Sequence, residues 1–136
     1  MRVAITGDDG FIAHYIEEAL GDDAEILSKE DIDDENMLPA KLASCSALIH
    51  LNGHPPDLSM ERDNHDVLRL MRQNAKKILN SVQSHQGLHL ILIGSLKVHP
   101  SPKSEESFYS ADSHLAPRDI TAEGQLWVEE RALIHI

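Results

Sequence analysis

The chain has 136 residues, 41% of them hydrophobic, which is the length of one domain and enough apolar surface for a core without disulfides. With 23 acidic against 12 basic side chains the net charge is −11, which argues against nucleic acid and anionic membranes as partners. No apolar run approaches the roughly 20 residues of a membrane span, the N-terminus lacks the apolar core of a signal peptide, and Cys45 stands alone, so the expectation is a reduced, cytoplasmic protein with a packing thiol.

Residues 2–6 predict a short buried strand that ends at Gly7. Residues 11–20 predict a helix, because Phe11, Ile12, Tyr15, Ile16, Ala19 and Leu20 recur at helical spacing and Gly21 follows. A second strand covers residues 24–27, an acidic turn 31–35, and a short helix 37–44 with Pro39 in its first turn. Residues 47–52 form a third strand, apolar except for His50, and Gly53, Pro55 and Pro56 open a loop. A long helix over 59–84 carries Val67, Leu68, Met71, Ala75, Ile78, Leu79 and Val82 in one stripe. The run 88–93 is almost wholly apolar, as in a central strand covered on both faces. Residues 99–119 form a long loop with Pro100, Pro102 and Pro117, residues 121–131 a last helix capped by Asp119, and residues 132–136 the start of a fifth strand.

Strands alternating with helices predict an α/β fold: one Rossmann-like domain over residues 1–136. Its doubly wound parallel sheet has five strands in the order 2-1-3-4-5, with helices on both faces. The ligand crevice then lies where the order reverses, at the ends of strands 1 and 3, near Gly7, Asn52, Gly53 and Ser95. The segment Thr6-Gly7-Asp8-Asp9-Gly10-Phe11-Ile12-Ala13 runs from a strand into a helix, and its glycines let a pyrophosphate approach the helix N-terminus. Residues 1–35 also hold twelve acidic and two basic side chains. A carboxylate about 4 Å from a phosphate costs roughly 1 kcal/mol in water and about 4 in a partly buried site, so the directions of Asp8 and Asp9 matter.

Together these segments resemble the extended short-chain dehydrogenase/reductase family, the NAD-dependent epimerase/dehydratase group, over essentially the whole chain. Thr6-Gly7-x-x-Gly10-Phe11-Ile12 resembles its TGxxGFI start, and Asp31-Ile32-Asp33-Asp34 its acidic motif beside the adenine. The placement of that motif directly after the second strand resembles the rhamnose-type and capsular-sugar reductases. Leu48-Ile49-His50-Leu51-Asn52-Gly53 resembles the strand on the nicotinamide side, Asn74 a helix asparagine, and Ile93 to His99 the segment carrying the catalytic serine, here Ser95. The resemblance implies cofactor binding by Gly7, Gly10, Phe11, Ile12, Ser28, Lys29, Asp31, Ile32, Leu51, Asn52, Gly53 and Asn74. It implies NAD(P), with NADP favoured by Ser28-Lys29 at the end of the second strand, a nucleotide-sugar substrate oriented by Ser95, and a homodimer through helices 59–84 and 121–131.

The family's YxxxK motif falls on Thr121-Ala122-Glu123-Gly124-Gln125, so Thr121 stands for the tyrosine and Gln125 for the lysine. A threonine hydroxyl is too weak an acid for the proton transfer that accompanies hydride transfer, and glutamine carries no charge. Tyr109 with Lys97 or Lys103 is the remaining phenol–ammonium pairing. The family's C-terminal substrate-binding part has no counterpart in these residues. The expected function is therefore an NAD(P)-binding protein of this type with degenerate catalytic residues, or a non-catalytic module that binds a nucleotide or a protein in the same crevice.

Other constellations are weaker. His54 and His99 with Asp8 or Asp9 sketch a metal site, but no ligand spacing supports it and no metal is expected. A phosphoreceiver domain needs an aspartate at the end of strand 3, where Asn52-Gly53 stands. Trp127 is a core or interface residue, and Glu129-Glu130 a solvated face.

Overall fold

Val3, Ala4, Ile5 and Thr6 are all buried, so both faces of the first strand, β1 (Val3–Thr6), are covered. The computed structural model describes residues 1–7, 10–51, 64–104 and 108–135. Beside β1 run β2 (Ala24–Leu27), β3 (Ala47–Leu51) and β4 (His89–Ile93), in the order β2-β1-β3-β4. All pairings are parallel, with Thr6 opposite both Leu27 and His50, and Leu51 opposite Ile93.

Alternation along β1 sends Ala4 to one face and Val3 and Ile5 to the other. On the first face Ala4 and Leu48 meet Leu27, Ile32, Leu38, Leu42 and Ile78 in the main core. Leu27 comes from β2 and the others from α2 (Lys29–Asp33), α3 (Met37–Leu42) and α4 (Asn64–Gln83). Val3 and Ile5 are buried on the opposite face, where α1 (Phe11–Leu20) packs against β1 and β2 and buries Ala13. Cys45 packs against the main core, and its thiol donates to the Lys41 carbonyl at 3.4 Å. Among the described residues no helix is long and apolar enough to cross a membrane.

Three expectations are corrected. The acidic turn at 31–35 begins inside α2, because Ser28 and Asp31 form a capping box that starts a helix at Lys29. Among the described residues the fifth strand expected at 132–136 does not form: α5 (Ile120–His135) continues through Ala132, Leu133 and Ile134. Glu129 to Leu133 contains no glycine or proline and is built from good helix formers. Ala132, one turn after Val128, prolongs the buried stripe of α5. Without that strand, β4 stands at the edge of the described sheet rather than at its centre, and Ile91 is 45% exposed.

The long helix is described from Asn64 to Gln83; residues 59–63 lie outside the described residues. It packs along α5, and Gly124 is what allows the close approach. A β-carbon at Gly124 would lie 2.6 Å from the Met71 sulfur. The N-terminus of α5 is capped as expected, with the Ala122 amide donating to Asp119 Oδ1 at 2.8 Å.

Candidate functional site

The C-terminal ends of β1, β3 and β4 deliver Gly7, Leu51 and the Gly94–Ser95 segment to one edge of the sheet. Gly7 has φ +88°, a conformation that L side chains rarely adopt. A β-carbon there would also sit 3.1 Å from Leu51 Cβ and 3.4 Å from the Leu51 carbonyl oxygen. Gly7 is thus glycine for two independent reasons, backbone conformation and contact with β3. The chain then turns, with the Gly10 amide donating to the Gly7 carbonyl at 3.1 Å.

Gly10 is the N-cap of α1 and offers no side chain to its first turn, which contains no acidic residue. The amides of Phe11, Ile12 and Ala13 have no intrahelical acceptor. Among the described residues no side chain caps this ten-residue helix, and such an N-terminus at the strand ends favours an anion. Asp8 and Asp9, on which the electrostatics of the loop also depend, lie outside the described residues, as do Asn52 and Gly53.

Beneath this turn is a buried polar network. Thr6 Oγ1 accepts from the Leu51 amide at 3.2 Å and lies 2.7 Å from His50 Nδ1. The hydroxyl can donate to Nδ1 or accept from it according to the ring tautomer, and the other ring nitrogen is Nε2. That nitrogen is buried and has no hydrogen-bond partner among the described residues. Burial pushes the His50 pKa down to about 4, so the ring is neutral at pH 7. His50 is a packing histidine that clamps the end of β3 against β1 and holds Leu51 under Gly7.

The residues expected around the adenine are engaged elsewhere. Ser28 Oγ accepts from the Asp31 amide at 3.1 Å, and the Ser28 amide donates to Asp31 Oδ2 at 2.9 Å. Asp31 Oδ2 also receives the Lys41 ammonium at 2.8 Å, and this bond above all holds the Asp31 carboxyl below its usual range. Lys29 Nζ donates to Asp33 Oδ2 at 2.8 Å. Ile32 is in the core. Loss of the Ser28 hydroxyl in Ser28→Ala is expected to lower stability by about 1 kcal/mol, the usual value of an N-cap, as read by thermal melting.

At the other side of the crevice Ser95 caps a 3-10 turn, Leu96–Val98, its Oγ accepting from the Lys97 amide at 3.2 Å. Lys97 Nζ reaches Asp119 Oδ2 at 2.9 Å, and Arg118 donates to the carbonyls of His99 and Leu96, both at 3.1 Å. These contacts fix the start of α5 beside the Ser95 turn. Thr121 and Gln125 follow, one helical turn apart and both half-buried. Tyr109 does not replace them: its hydroxyl donates to the Pro100 carbonyl at 2.7 Å and its ring stacks on His99. Lys97 is held by Asp119, and Lys103 is exposed. Asn74 is half-buried on α4, one turn from the buried Met71 and Ile78.

Glu129 is a residue that sequence reasoning missed. Its carboxyl occupies the space where a β-carbon of Gly94 would go, directly before Ser95, and burial raises its pKa. Only Glu130 of the pair is exposed. The available signal was its position four residues beyond Gln125, on the face that carries Thr121 and Gln125. Among the described residues no group of three or more His, Cys, Asp or Glu side chains forms a metal site. His99, one of the histidines considered for one, directs Nδ1 to the His114 carbonyl at 3.0 Å; His54 lies outside the described residues.

No family model matches the sequence, and no curated protein does. Solved structures do match. A UDP-N-acetylglucosamine 4-epimerase from Bacillus cereus superposes with a TM-score of 0.76 at 14% identity, over 99% of this chain and 50% of that one. A short-chain dehydrogenase/reductase superfamily protein from Agrobacterium tumefaciens, with bound NAD, gives 0.76 at 18% identity over 99% and 45%. MoeE5, in complex with UDP-glucose and NAD, gives 0.74 at 18% identity over 99% and 49%. The chain therefore has the short-chain dehydrogenase/reductase fold of the NAD-dependent epimerases and dehydratases. It spans about half the length of the structures it matches.

Proposed function

We propose that this chain binds NAD across the ends of β1, β2 and β3 and does not itself perform the proton transfer of the epimerases. The observation that carries the cofactor reading is the N-terminus of α1, which no described side chain caps, above Gly7, where a β-carbon would collide with Leu51. The fold supports the same reading, since two of the structures it matches contain NAD. The amides of α1 hold the pyrophosphate, Leu51 supplies backbone beside the nicotinamide half, and Ser95 orients the oxygen of a nucleotide sugar. NAD supplies hydride acceptance when bound. Asp31 directly after β2 supports the rhamnose-type and capsular-sugar reductases as the nearest subgroup.

NAD is preferred to NADP. The basis for NADP was Ser28-Lys29, yet Ser28 caps α2 and Lys29 is bound to Asp33. A 2′-phosphate there would also meet Glu30 and Asp31, and carboxylates near a phosphate repel it. The absence of proton transfer is supported by Thr121 and Gln125, neither of which titrates near neutral pH.

Calorimetric titration is expected to show saturable binding of NADH and at least about tenfold weaker binding of NADPH, a difference of roughly 1.4 kcal/mol. Incubation with NAD and UDP-glucose is expected to leave the sugar nucleotide unchanged, with neither an epimer nor reduced cofactor formed. Turnover abolished by Ser95→Ala would restore the enzyme reading, and equal affinities would remove the argument against NADP.

A further inference from the structure

The Ser95 turn is held from two sides. The chain leading into α5 binds its C-terminal side. There the Ala116 and Arg118 amides donate to the carbonyls of Val98 and Lys97, both at 2.9 Å, and Lys97 Nζ reaches Asp119. The Arg118 guanidinium adds its bonds to the carbonyls of Leu96 and His99. All of these contacts fall after Ser95. Before Ser95 the contact comes from Glu129, further along α5, whose carboxyl lies against Gly94. Val128 and Ala132 beside it are buried, so this part of α5 is anchored in the core. Glu129 has no ion pair or hydrogen bond among the described residues that would draw it elsewhere, and burial raises its pKa.

Gly94 is glycine because of that carboxyl. Its backbone does not demand one: positive φ is confined to Gly7, Gly21 and Gly87 among the described glycines. Space does. A β-carbon at Gly94 would collide with Glu129 Oε1, and the described atoms it would meet all belong to Glu129. The two residues are therefore matched, one by lacking a side chain and the other by filling the gap.

We propose that Glu129 is a positioning residue for the sugar site: packed against Gly94, it fixes the entry to the Ser95 turn while the segment ahead of α5 fixes the exit. The inference rests on the reading of Ser95 as the group that orients a nucleotide sugar. Ser95 Oγ accepts from the Lys97 amide, so the direction of the hydroxyl follows the backbone of the turn. A displacement of Gly94 redirects it. A site held by a rigid element keeps its geometry, and one whose support is removed loosens. The dinucleotide cradle at Gly7 and α1 shares none of these contacts. Loss of the match therefore weakens sugar binding and spares NADH.

A steric exchange tests this. Each variant is titrated with NADH alone and with UDP-glucose in saturating NADH, and the Ser95 and Lys97 amides are followed by NMR. Gly94→Ala should shift both amides, lower the melting temperature and weaken UDP-glucose about fivefold, the worth of one hydrogen bond, with NADH affinity as in the parent chain. Glu129→Ala should also weaken UDP-glucose, and Glu129→Gln, which keeps the volume, should recover most of that loss. In Gly94→Ala/Glu129→Ala the new methyl takes the vacated space. Amide positions, melting temperature and UDP-glucose affinity should then return toward those of the parent. A double variant no better than Gly94→Ala, or amides that stay in place in both single alanine variants, would overturn the proposal. A parent chain that binds NADH but not UDP-glucose would remove the sugar reading alone, and the amides and melting temperatures would still decide whether Glu129 sets the turn.

Discussion

Replacing Gly7 with alanine is expected to abolish dinucleotide binding and to lower the unfolding free energy by about 2 kcal/mol. The added methyl meets two obstacles. At φ +88° it strains the backbone, and it arrives 3.1 Å from Leu51 Cβ. Leu51 cannot recede freely, because its amide is tied to Thr6 and its strand is paired with both β1 and β4. Relief must come from the turn, whose Gly10 amide is anchored on the Gly7 carbonyl. Moving that turn moves the N-terminus of α1, so stability and ligand binding fall together. Gly21→Ala is the control: φ is +55° and nothing lies within 4 Å of the new methyl. It should lose stability alone, and urea unfolding paired with NADH calorimetry separates the two effects. Gly7→Ala that binds NADH like the parent chain would remove the turn from the site.

Acidification should unfold the protein through His50. Its pKa is about 4 in the folded chain, against about 6.5 when unfolded. Between those values the unfolded chain binds a proton that the folded chain excludes, so stability falls as pH falls. Going from about pH 7.5 to about pH 4.5 should remove roughly 2–3 kcal/mol. Asp31, Asp33 and Asp119 are held low by their hydrogen bonds to Lys41, to Lys29 and to the Ala122 amide respectively. Their contributions are lost only below about pH 4, in a separate window. His50→Asn keeps a partner for Thr6 without the titration. Its denaturation midpoints should be nearly flat over the upper window, apart from a gain on acidification from Glu129, whose carboxyl pKa burial raises, even if its absolute stability is lower. A parent chain equally flat there would show that His50 is not excluded from protonation.

Much of the sheet was legible because its signals are local. The strands at β1, β2, β3 and β4 are apolar runs closed by turn residues, and Gly7 and Gly10 punctuate the strand–helix turn as their spacing indicates. The cap by Asp119 was legible for the same reason. What escaped depends on competition between local and distant partners. Ser28-Lys29-Glu30-Asp31 carries the S-x-x-D signature of a capping box, yet the same residues also resemble an adenine-side motif; the backbone amides of α2 engage them. Ala132 to Ile136 is too short an apolar run to choose between strand and helix, and burial of Ala132 beyond Val128 favours the helix. The contact of Glu129 with Gly94 joins residues 35 apart and has no signature along the chain beyond its helical face.

The most direct measurement is amide-resolved NMR of the parent chain titrated with NADH. Binding at the N-terminus of α1 predicts saturable shifts concentrated at Gly7, Gly10, Phe11, Ile12 and Leu51, with the Arg69–Lys76 stretch of α4 unchanged. Spectra that stay still at these positions in millimolar NADH, while the Gly7→Ala spectrum shows the same silence, would contradict a dinucleotide site.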